Sequence, residues 1–254
     1  LVAHDLDFSG HTVLLTGAAS GIGAACARWL ADHGAARLLL VDRDEAGLNH
    51  LTLSCDTAAY IGDAASPALW ERIELEAGPV DHAVLNVGIA AGSPLTETLF
   101  ENWRRVMATN LDGTFLALRT SLRLLRDGGS AVLTASVSGI KAEPNTAAYA
   151  SSKAAVIQLA KVAAREAAAR HIRVNTIAPG GVDTPIWDEL PFFQAMVEEN
   201  GSRAAAIAAM GRMATPLGRY ADPEQIAGQI GFLLSDMAAN ITGSVLVSDG
   251  GYSL

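Results

Sequence analysis

Short apolar runs alternate with helical patterns along almost the whole chain, and this alternation restricts the fold more than any other feature. His11–Thr16 (HTVLLT), Arg37–Val41 (RLLLV), Ala59–Ile61, His82–Asn86 (HAVLN), Ala131–Ala135 and Arg173–Ile177 read as strands, with a last one near Ser244–Ser248. Each is nearly continuous in apolar residues, the pattern of parallel strands covered on both faces. Between them the periodicity predicts helices near Ile22–His33, Glu45–Ser54, Pro67–Glu76, Phe100–Arg126, Tyr149–Arg170 and Pro223–Ser235. Strict β–α alternation implies right-handed crossovers. The expected fold is therefore α/β, a doubly wound parallel sheet of about seven strands with helices on both faces. The 254 residues, 50% of them hydrophobic, suffice for one large core, and no linker or repeat divides them. One domain over residues 1–254 is expected, with an insertion at about 183–220.

In such sheets ligands bind beyond the carboxyl ends of the strands. The residues with chemistry fall there. Thr16-Gly17-Ala18-Ala19-Ser20-Gly21-Ile22-Gly23 links the first strand to the first helix. Its glycines allow a tight turn and a close backbone approach to a pyrophosphate, and the helix N-terminus adds free amides and a positive dipole. Asp42 closes the second strand, where a carboxylate accepts hydrogen bonds from an adenosine ribose and repels a 2′-phosphate. Arg43 beside it would suit that phosphate, but the glycine turn carries no cation, so NAD is expected over NADP. Asn86 ends the fourth strand, Ser136 the fifth, and Pro179-Gly180 follow the sixth.

Tyr149 and Lys153 stand four residues apart in AAYASSKAAV and so share one helix face. A cation beside a phenol favours phenolate and lowers its pKa, giving a base usable near neutral pH. Ser136, thirteen residues upstream of Tyr149, adds a hydroxyl donor.

The net charge of −9 argues against nucleic acid or an anionic membrane as partner. No apolar run reaches the roughly 18 residues of a membrane span, and LVAHDLDFSG lacks a signal-peptide pattern. Cys26 and Cys55 have no neighbours at metal spacing, so no metal is expected, and a soluble, cytoplasmic protein is. The histidines at 4, 11, 33, 50, 82 and 171 lie away from the strand carboxyl ends and receive no chemical role.

Together TGAASGIG (16–23), Asp63 in IGDA, LNVG (85–88), Asn110 in NLDGTF, Ser136, YASSK (149–153), PGGVDT (179–184) and TGSVLVSDGG (242–251) resemble the short-chain dehydrogenase/reductase family from about Asp7 to Tyr252. The resemblance implies a Rossmann-like fold and a hydride transfer between NAD(H) and a secondary alcohol or ketone. It implies Tyr149 as acid/base, Lys153 on the nicotinamide ribose, Ser136 on the substrate oxygen, and Asn110 holding a relay water. It places Gly17, Ser20, Gly21, Ile22 and Gly23 at the phosphates, Asp42 and Arg43 at the ribose, and Asp63 and Ala64 at the adenine. Asn86 and Gly88 would shape the ribose side, and Pro179, Gly180, Val182 and Thr184 the nicotinamide side. Val87 departs from the family's usual Ala, so a small local shift is expected. Ser138 is expected in the loop lining the substrate pocket. In the family the long Ala- and Leu-rich helices pair across a dimer axis, so a homotetramer is expected, with a dimer as runner-up. The insertion carries Pro185, Ile186, Trp187, Pro191, Phe192, Phe193, Met196, Met210 and Met213, which suits a lid over an apolar alcohol or ketone. The alternatives are an NADPH-dependent 3-oxoacyl carrier-protein reductase, a non-catalytic NAD-sensing protein of the same fold, and an epimerase or dehydratase.

Overall fold

A computed structural model describes residues 6–254. His4 and the rest of the first five residues lie outside it. The parallel strands are β1 (Thr12–Thr16), β2 (Arg37–Asp42), β3 (Asp56–Ile61), β4 (Val80–Leu85), β5 (Leu125–Thr134), β6 (Arg173–Pro179) and β7 (Val245–Ser248). The intervening helices are α1 (Gly21–Asp32), α2 (Glu45–Asn49), α3 (Pro67–Glu76), α4 (Phe100–Met107), α5 (Gly113–Leu124) and α6 (Ala147–Ala167). Past β6 come α7 (Pro191–Asn200), α8 (Arg203–Ala214) and α9 (Pro223–Leu234).

The seven strands run in the order β3-β2-β1-β4-β5-β6-β7, and every pairing is parallel. Winding reverses between β1 and β4, which opens a crevice at their carboxyl ends. The continuous apolar runs are explained by two buried faces. Leu14, Ala131, Leu133 and Val174 point into one core with Trp70 and Ile73 of α3, Leu116 of α5 and Val156 of α6. Val13, Leu15, Val132 and Ile177 point into the other with Leu30 of α1 and Ile226 and Ile230 of α9. A third, separate cluster joins Phe193 to Ala206, Ile207 and Met210, so α7 and α8 carry a small core of their own.

Four boundaries differ from the sequence reading. The helix expected over Phe100–Arg126 is broken by a π turn at Ala108–Asp112 and ends at Leu124. β5 begins at Leu125, six residues before the expected start at Ala131. It starts there because the Arg170 guanidinium takes the carbonyls of Leu122 and Leu125, satisfying the end of α5 from a distant part of the chain. The helix expected over Glu45–Ser54 stops at Asn49, and β3 starts at Asp56 rather than Ala59. The remaining elements agree to within a few residues.

Candidate active site

The residues expected to hold the cofactor or do chemistry lie at the carboxyl ends of β1 to β6 or in the segments after them, in the π turn at Ala108–Asp112, or in the first two turns of α6. Gly17 and Gly21 adopt positive φ (65° and 52°), a conformation that L side chains resist. A Cβ on Gly23 would sit 1.8 Å from the Gly17 oxygen, so only glycine lets α1 start so close to the turn. Ser20 caps α1 with extended backbone, and its side chain makes no capping bond. The Thr16 hydroxyl accepts from the Asn86 and Val87 amides at 2.9 and 3.3 Å, tying the turn to the end of β4. The Asn86 side chain lies over Gly17 and Gly23. Val87 packs on the core side, which absorbs its extra bulk.

Asp42 holds the turn from its other flank. Its carboxylate accepts from the Ala19 amide at 2.9 Å and from the Asp44 amide at 3.0 Å. Arg43 is exposed. Asp63 forms a local turn by accepting from the Ala65 amide at 2.9 Å, and Ala64 is buried against Gly113. Thr184, also buried, packs its methyl group where a Cβ on Gly21 would lie, 3.2 Å away, so the segment after β6 closes on the start of α1. Gly180 meets Asp249 beside β7, and Val182 is buried.

The polar centre is built around Lys153. The residue is 3% exposed, and its ammonium donates to the Thr134 carbonyl at 2.9 Å. A Cβ on Gly88 would come within 3.1 Å of that ammonium and 3.5 Å of Asn110 Oδ1. The Asn110 side chain is taken up: Oδ1 accepts from the Ile89 amide, and Nδ2 donates to the Ile89 carbonyl and to Ser152 Oγ. Asn110 sits in the π turn, whose extra residue swings it inward to clamp the loop after β4.

Ser136 follows β5 and is buried. Its Oγ accepts from the Ser138 amide at 3.1 Å, which leaves the hydroxyl proton free to donate elsewhere. Ser138 thus orients Ser136 through its backbone. Gly139 brings this loop onto α6, since a Cβ there would lie 2.8 Å from the Ala154 nitrogen. Tyr149 is half-buried, with the Lys153 ammonium 5.8 Å from its ring centre. Burial raises the Tyr149 phenol above its ordinary value, and the Ser136 hydroxyl opposes that shift. Burial also pushes Lys153 down to about 8. The expectation that the ammonium lowers the Tyr149 pKa is therefore not met. Burial dominates at Tyr149, and the Lys153 ammonium donates to the Thr134 carbonyl instead.

Sequence reasoning missed Thr134, Gly139 and Ser152, and the backbone role of Ser138, because these act through backbone atoms or through partners distant in the chain. It also missed the tail, where Lys141 on the loop after Ser136 donates to the Tyr252 carbonyl at 2.8 Å. Among the described residues, no cluster of His, Cys, Asp and Glu is placed to hold a metal, and no helix is long and apolar enough to cross a membrane.

A family profile described as enoyl-(acyl carrier protein) reductase matches residues 17–253. The chain is 36% identical to cis-4-hydroxycyclohexanecarboxylate dehydrogenase of Sinomonas cyclohexanicum, covering 97% of this chain and 98% of that protein. It is 38% identical to D-threitol dehydrogenase of Mycolicibacterium smegmatis, covering 98% and 96%. A crystal structure of a short-chain type dehydrogenase/reductase from Mycobacterium marinum superposes with a TM-score of 0.83 at 30% identity, covering 98% and 97%. This chain belongs to the short-chain dehydrogenase/reductase family.

Dehydrogenases of this family use nicotinamide cofactors, and the geometry of this short-chain dehydrogenase/reductase fits one. A turn held open by Gly17, Gly21 and Gly23 leads into a 12-residue helix, as a pyrophosphate requires. The carboxylate of Asp42 flanks that turn, and the buried Lys153 ammonium lies by Gly88 in the loop after β4. An oxidoreductase acting on alcohols or ketones is the activity its relatives support.

Proposed function

We propose that this protein is an NAD-dependent dehydrogenase that converts a secondary alcohol, preferably cyclic, to the ketone. The observation that carries the reading is the convergence of Ser136, Tyr149 and Lys153 past the carboxyl end of β5, with the Ser136 proton left free by the Ser138 amide. The Tyr149 oxygen takes the proton of the alcohol hydroxyl. Ser136 donates to the same oxygen and steadies the charge that grows on it. Lys153 would hold the nicotinamide ribose, giving up part of its bond to Thr134. The bound nicotinamide supplies the hydride acceptor. Lys153, with the charge an oxidised nicotinamide would supply, would favour phenolate against the burial that raises Tyr149. Asn110 takes part in the proton relay through its main-chain oxygen, which Thr114 Oγ1 occupies on only one side.

Asp42 supports NAD over NADP: a carboxylate fixed by two amides meets a ribose diol well and a 2′-phosphate badly. Asp63 and Ala64 would border the adenine. Cyclic alcohols are favoured by the hydroxycyclohexane substrate in the name of the Sinomonas relative and by the apolar lid, about 183–220, which exposes Ile186 and Phe192. Exposed Phe100, Phe115 and Val162 on α4–α6, with Leu99 just before α4, support a homotetramer, and the free Cys26 and Cys55 support the cytoplasm. A 3-oxoacyl carrier-protein reductase is the second reading, favoured by the acyl-carrier wording of the matching profile and by exposed Arg43. Asp42 and the net charge of −9, which would repel an acidic carrier, weigh against it.

A panel of cyclic and open-chain secondary alcohols with NAD and with NADP, followed by absorbance of reduced cofactor, tests the reading. NADH should accumulate with a cyclic alcohol, and Tyr149→Phe should reduce the rate by about 10²–10⁴-fold. Undiminished turnover in that variant overturns it.

A further inference from the structure

α8 begins at Arg203, directly after its Ser202 cap. A cation in the first turn opposes the helix dipole, so helix stability does not account for this residue. The three acceptors of its guanidinium do. Nη1 donates to the Asp183 carboxylate, Nε to the Asp188 carboxylate at 2.8 Å, and Nη2 to the Thr184 carbonyl at 2.9 Å. All three belong to the stretch that leaves β6; the guanidinium also lies 5.8 Å from the ring centre of Phe193, which packs with Ala206, Ile207 and Met210 in the small core of α7 and α8, so Arg203 bridges that core to the stretch. The same Thr184 packs against Gly21 at the start of α1, where a Cβ would meet it at 3.2 Å.

We propose that Arg203 is a positioning residue for the cofactor: by forking across Asp183, Thr184 and Asp188 it pins Thr184 against the start of α1 and couples the lid to the dinucleotide crevice. The proposal rests on the NAD reading above. A planar fork with several donors is needed for three acceptors at once, and a lysine has one charged nitrogen to offer. Removing the guanidinium also leaves two neighbouring carboxylates unpaired, which repel each other and push the segment outward. The bonds are on the surface, so salt weakens them.

The test titrates NAD into the native protein, Arg203→Met, Arg203→Lys and Asp188→Asn by nucleotide fluorescence, with steady-state kinetics and thermal melts alongside. Arg203→Met should raise the Kd and KM for NAD by about tenfold, with kcat at saturating NAD within about twofold of native. Arg203→Lys should fall between native and Met, and Asp188→Asn should show a smaller rise. Added salt should weaken NAD binding more steeply in the native protein than in Arg203→Met. A purely structural role would instead lower the melting temperature and the active fraction and leave the KM for NAD alone. If Arg203→Met does not fold, Arg203→Lys and Asp188→Asn decide by the same KM rise. Native-like NAD binding and salt dependence in the variants overturn the proposal. A native protein that binds neither NAD nor NADP overturns the functional reading itself, and the proposal with it.

Discussion

The Lys153 ammonium donates to the main-chain oxygen of Thr134 at 2.9 Å, and both residues are buried. One carbonyl does not replace the hydration of a cation, which is why burial pushes this lysine down from 10.5 to about 8. Below about 8 the fold must carry a dry charge, at a cost to stability. Between about 8 and 10.5 the folded chain releases a proton that the unfolded chain keeps, so stability rises with pH across that window. Lys153→Met should therefore stabilise the cofactor-free protein by about 1–3 kcal/mol at pH 7, while turnover is lost. Melts of both proteins at pH 7 and pH 10 check this: the gap should narrow at the higher pH. A variant less stable than native at pH 7 contradicts the account.

Asp42 reaches the glycine turn through the Ala19 amide, so its carboxylate is fixed before any ligand arrives. Replacing it with Ser removes the repulsion toward a 2′-phosphate and leaves exposed Arg43 beside the site. The ratio of kcat/KM for NAD to that for NADP should fall by about tenfold or more. An unchanged ratio removes Asp42 from cofactor choice.

At the opposite, amino edge of the sheet, the proton positions of a buried chain follow from its ends. Ser130 Oγ donates to the Leu234 carbonyl at 2.9 Å, so it accepts from His82 Nδ1 at 2.8 Å, and His82 Nε2 must accept from His11 Nδ1 at 3.0 Å. A proton on His82 Nε2 would face another N–H. Burial, chiefly, and the neighbouring His11 push His82 from 6.5 down to about 3. Between those values the unfolded chain binds the proton and the folded chain does not, so stability falls as the pH drops through the window. The loss should reach about 4 kcal/mol near pH 3. Melting temperatures from pH 7 to pH 4 should drop less steeply for His82→Asn, which keeps a donor for Ser130.

Gly139 lets the loop carrying Ser136 rest on the backbone of α6, 2.8 Å from where its Cβ would be. That neighbour is main chain and cannot swing aside. Gly139→Ala should displace Ser136 from Tyr149 and lower kcat by about ten- to a hundredfold, with NAD affinity close to native. Equal losses in kcat and in NAD binding would point to a general collapse of the edge instead.

The two-faced sheet was legible because burial on both sides leaves a continuous apolar signature in each strand, and the glycine turn because only glycine tolerates its backbone. The π turn was not. Nothing in ATNLD distinguishes it from a helix interior, since the insertion exists to satisfy the Ile89 backbone, 21 residues away, with the Asn110 side chain. The early start of β5 escaped notice for a similar reason, because the carbonyls at the end of α5 are met by Arg170 from beyond α6.

The sequence by itself determined the alternation of elements, the residues that meet at one edge of the sheet, and the family to which they belong. These are encoded in local periodicity and in residue types that few backbone geometries accept. Only the tertiary structure decided the protonation balance between Tyr149 and Lys153 and the tethering of Thr184 by Arg203. Both depend on desolvation and on hydrogen-bond partners brought together by folding, which no local stretch of sequence records.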